Sequence, residues 1–322
     1  MVRSLLSILA DGRFHSGQEI GERLGVSRSA VWKQIRKLET LGLDIYSVKG
    51  RGYRLPGGLC LLDAEQIQQQ LTAQAVESIQ FVDVSLSASS TNALAIDAFR
   101  NGANTGVFVA EMQTEGRGRR GRSWVTPFGG SLAFSLMWTF DQGIAALEGL
   151  SLLVGIAIAR VLRRWGVADI GLKWPNDILV GGKKLSGVLI EMSGDATDVC
   201  NVVIGIGVNI DLAQSKTDAI DQPWVDLVSQ LGGAVDRNKL FSELLNELVL
   251  ALGRFAEVGF EPFKEEWQAM NAYADKAVSI TTGNSSVAGR CLGVDGRGAI
   301  VLATPEGEAS FVGGEVSLRL AE

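Results

Sequence analysis

The chain has 322 residues, longer than one average domain, with 46% hydrophobic and 20% charged residues, a globular composition with room for two or three cores. Its three cysteines, Cys60, Cys200 and Cys291, lie far apart with no CxxC pair, which argues against a disulfide framework and a cysteine-built zinc site. The net charge of −6 is uneven: residues 1–55 hold ten basic and five acidic side chains, so a head of +5 sits on a body of −11, the mark of a polyanion partner for the head.

The opening MVRSLLSILADGRF has no long apolar core and no small-residue cleavage site. It reads as an amphipathic helix with Leu5, Leu6 and Leu9 on one face. The single histidine, His15, is expected at a helix boundary and leaves Ser-His-Asp or Cys-His chemistry without a natural base. SGQEIGERLG places Ser16 and Glu19 at capping-box spacing, and Gly25 turns the chain. SRSAVWKQIRKLETLG then runs as a basic amphipathic helix from Ser27, with Val31, Ile35 and Leu38 inward. On its outward side we expect Ser27, Arg28, Ser29, Lys33 and Gln34, donors for phosphates and base edges. DIYSVKGRGYRL follows as a hairpin whose tip carries Lys49 and Arg51. Helix, turn, basic helix and hairpin make a winged helix-turn-helix, against the plainer alternative of a small helical dimerisation domain.

Leu55-Pro56-Gly57-Gly58 marks a boundary, and LLDAEQIQQQL a helical connector. From about Phe81 an α/β pattern begins. Strands are expected at 79–85, 106–112, 131–139, 170–174, 177–180, 185–193 and 199–209, and helices at 90–101, 145–165 and 238–258. The apolar run GLSLLVGIAIARVL ends at arginines after about fourteen residues, too short to span a bilayer, so a cytoplasmic protein without membrane contact is expected. From about Ala277, short Gly-rich alternating strands form a small barrel-like β-domain.

Three clusters carry chemistry. EGRGRRGRSW (115–124) has the spacing G-x-G-x-x-G at Gly116, Gly118 and Gly121, but a dinucleotide fingerprint needs a helix straight after it. Here SWVTPFGG and another strand follow, so the stretch is a loop between strands. Its arginines suit phosphate or carboxylate, and self-repulsion should leave it disordered until an anion gathers it. KWPND (Lys173–Asp177) is a turn with acceptors at Asn176 and Asp177, and Lys183 and Lys184 follow across a hairpin, so Asp177 and a lysine can face one pocket. VVIGIGVNI is an apolar strand ending at Asn209, placed to line a ligand; a Walker A pattern is absent.

With GRGRRGR, KWPND, KKLSG and GIGVN in this order, the chain resembles the biotin protein ligases, and its winged head is similar to the bifunctional members that are also biotin operon repressors. The resemblance covers essentially the whole chain. It implies an α/β multidomain fold of α+β type: a winged helix-turn-helix over 1–58, a mixed-sheet catalytic domain over 59–270 and an SH3-like β-barrel over 271–322. It implies that biotin and ATP, with Mg2+, form biotinyl-5′-AMP, which then acylates one lysine of the biotin carboxyl carrier protein of acetyl-CoA carboxylase. Ser90, Thr91, Asn92 and Gln113 would hold biotin's ring end, with Arg117, Gly118, Arg119, Lys184 and Gly187 around the rest. Arg119, Arg122, Trp124, Lys173, Asn176, Asn209 and Trp224 would serve ATP and the adenylate, with Trp224 on adenine and LAQSKTDAID as the adenylate loop. Lys184, Asp177 and Arg119 would be catalytic, and no protein ligand for the metal is assigned. The adenylate would drive a homodimer onto the operator DNA of biotin biosynthesis genes. Two rivals are a lipoate or octanoate ligase on a related fold and a regulator that senses biotin without catalysis. The paired motifs and the retained Lys184 and Asp177 weigh against both, while a vestigial head stays open.

Overall fold

The computed structural model describes residues 1–194, 199–212, 219–282, 285–313 and 316–321. The head comprises α1 (Val2–Leu9), α2 (Gly17–Leu24), α3 (Arg28–Thr40) and the hairpin β1 (Tyr46–Val48) and β2 (Gly52–Arg54). Ser16 caps α2 by accepting from the Glu19 amide, and Ser27 caps α3 by accepting from the Ala30 amide. Gly25, with φ +67°, supplies the left-handed residue that ends α2. Leu5, Leu6, Leu9, Ile20, Val31, Ile35 and Leu38 close the core of this unit. His15 pairs through its backbone with Tyr53, which ties the wing to the start of α2. One expectation fails here. Gln34 faces inward, 7% exposed, because it shares the stripe of Val31, Ile35 and Leu38.

After the boundary come α4 (Ala64–Gln69) and α5 (Ala73–Ser78), then β3 (Val82–Ser85), α6 (Thr91–Arg100), β4 (Gly106–Ala110) and β5 (Ser131–Phe140). Ile79 ends α5, so the first strand starts later than its apolar residues suggest. The chain continues through α7 (Leu150–Arg164), β6 (Ile170–Lys173), β7 (Asp177–Val180), β8 (Lys183–Gly194) and β9 (Cys200–Asn209). The helix expected at 145–165 is split: a 3-10 turn over Ile144–Leu147 precedes α7, and Gly149, with φ +80°, separates them. Eleven of the fifteen residues of α7 are buried, as in the core helix of a globular domain. The remaining helices are α8 (Leu227–Leu231), α9 (Arg237–Val258) and α10 (Lys264–Ala269).

The seven strands order β3-β4-β5-β9-β8-β7-β6, with β3 and β4 parallel and the other pairs antiparallel. Strand β5, at the centre of the longest ladder, is buried almost throughout rather than alternating, since α9 covers one face and α6 the other. The C-terminal unit is β10 (Ala277–Thr282), β11 (Ser285–Val294), β12 (Ile300–Thr304), β13 (Gly307–Phe311) and β14 (Val316–Leu320), antiparallel in the order β13-β12-β11-β10-β14. Its pairing stays open among the described residues. Val278, Ile280, Cys291, Ile300, Leu302 and Leu318 join the same apolar core as the central sheet, so this small unit does not stand alone.

Candidate active site

One cavity of about 350 Å³ lies between the arginine–glycine loop, the β7–β8 hairpin, β9 and β14, large enough for a cofactor-sized ligand. Every residue named above for biotin and ATP borders it.

One end is a buried hydrogen-bonded network with a single carboxylate, Glu191, at its edge. Ser90, Thr91 and Asn92 begin α6 and are 5%, 3% and 4% exposed. The Thr91 amide donates to Gln113 Oε1 at 2.8 Å, and Gln113 Nε2 donates to Thr126 Oγ1 at 3.2 Å. Ser135 Oγ lies 2.7 Å from Thr91 Oγ1 and 2.5 Å from Asn92 Oδ1. Asn92 Nδ2 donates to Glu191 Oε2 at 2.7 Å. Gly205 is required beside this network, since a Cβ there would stand 2.2 Å from Asn92 Oδ1. A fixed set of donors and acceptors in a buried recess suits the polar head of a small neutral ring.

The other end is cationic. Lys184 Nζ lies 2.7 Å from Asp177 Oδ1, and Lys173 Nζ 3.9 Å from Asp177 Oδ2. The ladder explains the first distance: Leu179 pairs with Lys184 and Asp177 with Gly187, so the hairpin folds the two side chains together. Burial lowers the Lys173 ammonium from its usual value, against the pull of Asp177. Burial also lowers the Arg119 guanidinium, which nonetheless stays charged. Lys184 stands over the Trp124 ring at 5.4 Å. That ring sits against bare backbone, for a Cβ on Gly207 would be 2.3 Å from it. Trp124 Nε1 is buried and finds no acceptor among the described residues, a donor left for a ligand.

The arginine–glycine loop departs from expectation. Instead of lying open through self-repulsion, it folds over the cavity. Arg117 pairs with Ser123, Gly118 N donates to Arg122 O at 2.7 Å, and Arg119–Gly121 make a 3-10 turn. Protein groups gather its charge. Arg117 Nη2 reaches Glu191 Oε2 at 3.2 Å, and Arg119 donates to Asn176 Oδ1 at 3.2 Å and to the Val316 carbonyl at 3.4 Å. Asn209 also differs from a plain ligand contact, because its Nδ2 donates to the carbonyls of Lys184 and Val225 at 3.2 and 3.0 Å. It therefore pins the Lys184 strand to the segment holding Trp224, whose own backbone bridges Lys184. Trp224 is half-buried at the cavity wall, not lost in the core. Residues 213–218 of the expected adenylate loop lie outside the described residues.

Sequence reading missed Glu191, Ser135, Tyr273 and the β14 residues Val316–Leu318. Only Glu191 left a signal, a lone acid in the apolar strand VLIEM.

A mixed sheet with this lidded cavity, a winged helix before it and a small β-domain behind it defines a class. Residues 85–209 match the biotin/lipoate A/B protein ligase family, residues 2–54 an HTH domain family and residues 274–319 the biotin protein ligase C terminal domain. Full-length relatives narrow it. The chain is 40% identical to the bifunctional ligase/repressor BirA of Salmonella typhimurium over 99% of its own length and 98% of that protein's. It is 38% identical to the Escherichia coli protein of the same name, covering 99% and 97%. The chain belongs to the bifunctional biotin ligase/repressor family. Among solved structures, the Aquifex aeolicus biotin protein ligase in complex with biotin and ATP matches with a TM-score of 0.66 and 28% identity, over 76% of this chain and all of that one.

Proposed function

We propose that the cavity activates biotin in two steps and that the residues divide the work along its length. The observation that carries this reading is the polarity of the cavity, with a buried hydrogen-bonding recess at α6 and clustered cations at Lys173, Lys184 and Arg119. Ser90, Thr91, Asn92 and Gln113 hold the ring end of biotin. Its carboxylate then points toward Lys184. In the first step a carboxylate oxygen attacks the α-phosphorus of ATP and pyrophosphate leaves. Lys184, Arg119 and Arg122 offset the negative charge that gathers there. Lys173 and Asn176 flank the phosphate chain, Trp224 packs on adenine, and Asn209 keeps Trp224 and Lys184 in register. Mg2+ would accompany ATP, and no protein ligand for it is assigned.

In the second step an acceptor lysine amine attacks the acyl carbon of biotinyl-5′-AMP, an amide forms and AMP leaves. Asp177 orients that amine and takes its proton, a role that requires Lys184 to shift from Asp177 to the phosphate once the adenylate is present. The acceptor is the biotin carboxyl carrier protein of acetyl-CoA carboxylase. The head binds operator DNA of biotin biosynthesis genes, and adenylate binding favours a homodimer through the loops that surround it. Domain limits near residues 58 and 270, and a cytoplasmic location, complete the proposal.

ATP–pyrophosphate exchange with biotin, lipoate, octanoate or no acid tests the first step. Exchange with biotin alone is expected, and exchange with another acid replaces the substrate. Sedimentation with and without biotinyl-5′-AMP tests the dimer; an unchanged association state rules it out.

A further inference from the structure

On α3, one face packs inward through Val31, Gln34, Ile35 and Leu38. The opposite stripe, at i, i+3, i+4 and i+7, is Ser29, Trp32, Lys33 and Arg36, all exposed. Trp32 is the anomaly, an indole 52% exposed on a face otherwise made of hydroxyl and cationic groups. It is also braced. The Arg36 guanidinium stands 5.4 Å from its ring, and Arg36 is itself held by Glu39 Oε2 at 2.8 Å. A ring fixed in this way loses little freedom when it meets a partner.

The occupant follows from charge and position. The head carries ten basic against five acidic side chains, and α3, its third and longest helix, follows a tight turn after α2, the arrangement that sets a recognition helix in the major groove. Base edges there are met by residues of the first turns, and Trp32 is the fifth residue of α3. An apolar side chain in the major groove finds one apolar base group, the C5-methyl of thymine. Resting on the reading of the head as a DNA-binding unit, we propose that Trp32 is a specificity-determining residue that packs on a thymine methyl in the major groove, held in place by Arg36. Ser29 and Lys33 flank it and supply the polar contacts.

The test is enrichment from a random library of duplex DNA, using the full-length protein with biotin and MgATP, in parallel with Trp32→Ala and Trp32→Phe. The wild-type protein is expected to select a motif with a required thymine, and Trp32→Ala to lose that requirement and about tenfold in affinity for the selected site. Trp32→Phe keeps the requirement. Replacing that thymine by deoxyuridine removes only the methyl and should weaken wild-type binding about fourfold while leaving Trp32→Ala unaffected. Because Trp32 is surface-exposed and alanine favours helix, thermal unfolding of the variant should match wild type, which separates lost contact from lost fold. Selection of the same motif by wild type and Trp32→Ala overturns the proposal while leaving DNA binding intact. No selected motif with the wild-type protein overturns the reading of the head as well. A changed association state of Trp32→Ala with an unchanged motif assigns the face to a protein interface instead.

Discussion

At the scale of single residues, two positions carry more than their size suggests. His15 has both ring nitrogens engaged, Nδ1 with Glu19 at 2.8 Å and Nε2 with Asp11 at 3.0 Å. Burial alone lowers its pKa, but the hydrogen bonds and charges of Glu19 and Asp11 outweigh burial and raise it above the ordinary 6.5. The Arg13 amide, and after it His15, lower Asp11 below 3.8, and His15 foremost lowers Glu19 below 4.5. A raised histidine stabilises the head fully below pH about 6.5, and that contribution fades as pH rises through the folded value. The lowered acids contribute above about pH 4.5 and lose their contribution as pH falls. Thermal stability of the head should therefore be highest between about pH 4.5 and 6.5. His15→Gln should abolish the fall on the alkaline side, read by calorimetry; an unchanged slope refutes the assignment. Gly207 is the second position. Gly207→Ala would drive a methyl into Trp124, the ring beneath Lys184. We expect a stability cost of about 1–3 kcal/mol and a fall in kcat/KM for carrier biotinylation of about tenfold or more. Wild-type kinetics in the alanine variant would mean the ring moves freely.

At the scale of elements, the arginine–glycine loop and α3 show what a linear pattern conveys and what it hides. Glycine spacing and charge marked the loop only as an expected anion binder between two strands. They could not show that Glu191, Asn176 and the Val316 carbonyl hold it, because those partners lie on β8, the β6–β7 turn and β14. Arg119→Gly removes two of these ties and one cation at once. Adenylate should then escape before transfer, and bystander lysines in a protein mixture should become biotinylated. Labelling confined to the carrier lysine would contradict a retaining role. On α3 the period of 3.6 placed Val31, Ile35 and Leu38 inward, but Gln34 was assigned by its polarity alone and went to the wrong face. Three units and most strands of the central sheet were legible because apolar period and turn residues are local. The meeting of Asp177 with a lysine was legible for the same reason, since one short hairpin brings Asp177 and Lys184 together. The β14 wall of the cavity and the structural role of Asn209 were not, because each depends on where distant strands meet.

At the scale of the whole molecule, a buried ion pair fastens the connector to the catalytic unit. Arg237 Nη1 lies 2.7 Å from Glu111 Oε2, with the two side chains 2% and 1% exposed. Glu111 also accepts from the Leu62 amide, Arg237 donates to the Cys60 carbonyl, and Arg3 of α1 donates to the Leu62 carbonyl. Head, connector, β4 and α9 thus meet at one joint. Glu111→Ala would leave a buried guanidinium without its carboxylate, and we expect a loss of about 3–5 kcal/mol, seen as a lower thermal midpoint. The double change Glu111→Leu with Arg237→Met should recover most of it. A single variant as stable as wild type would show that water replaces the carboxylate. The pair was hidden in the sequence, where Glu111 reads only as the polar end of an apolar strand.

Phe128, just beyond the lid, is buried in the apolar core of the head, with Leu59, Leu61, Leu86 and Met112 packed around the same cluster. During synthesis the helices of the head leave the ribosome first, long before Phe128 has been joined to the chain. The head can form its helices early but cannot complete its core until the stretch through the lid has emerged. The order of translation thus makes the DNA-binding unit wait for the beginning of the catalytic one, and a chain cut between them would leave each half with an unfinished surface.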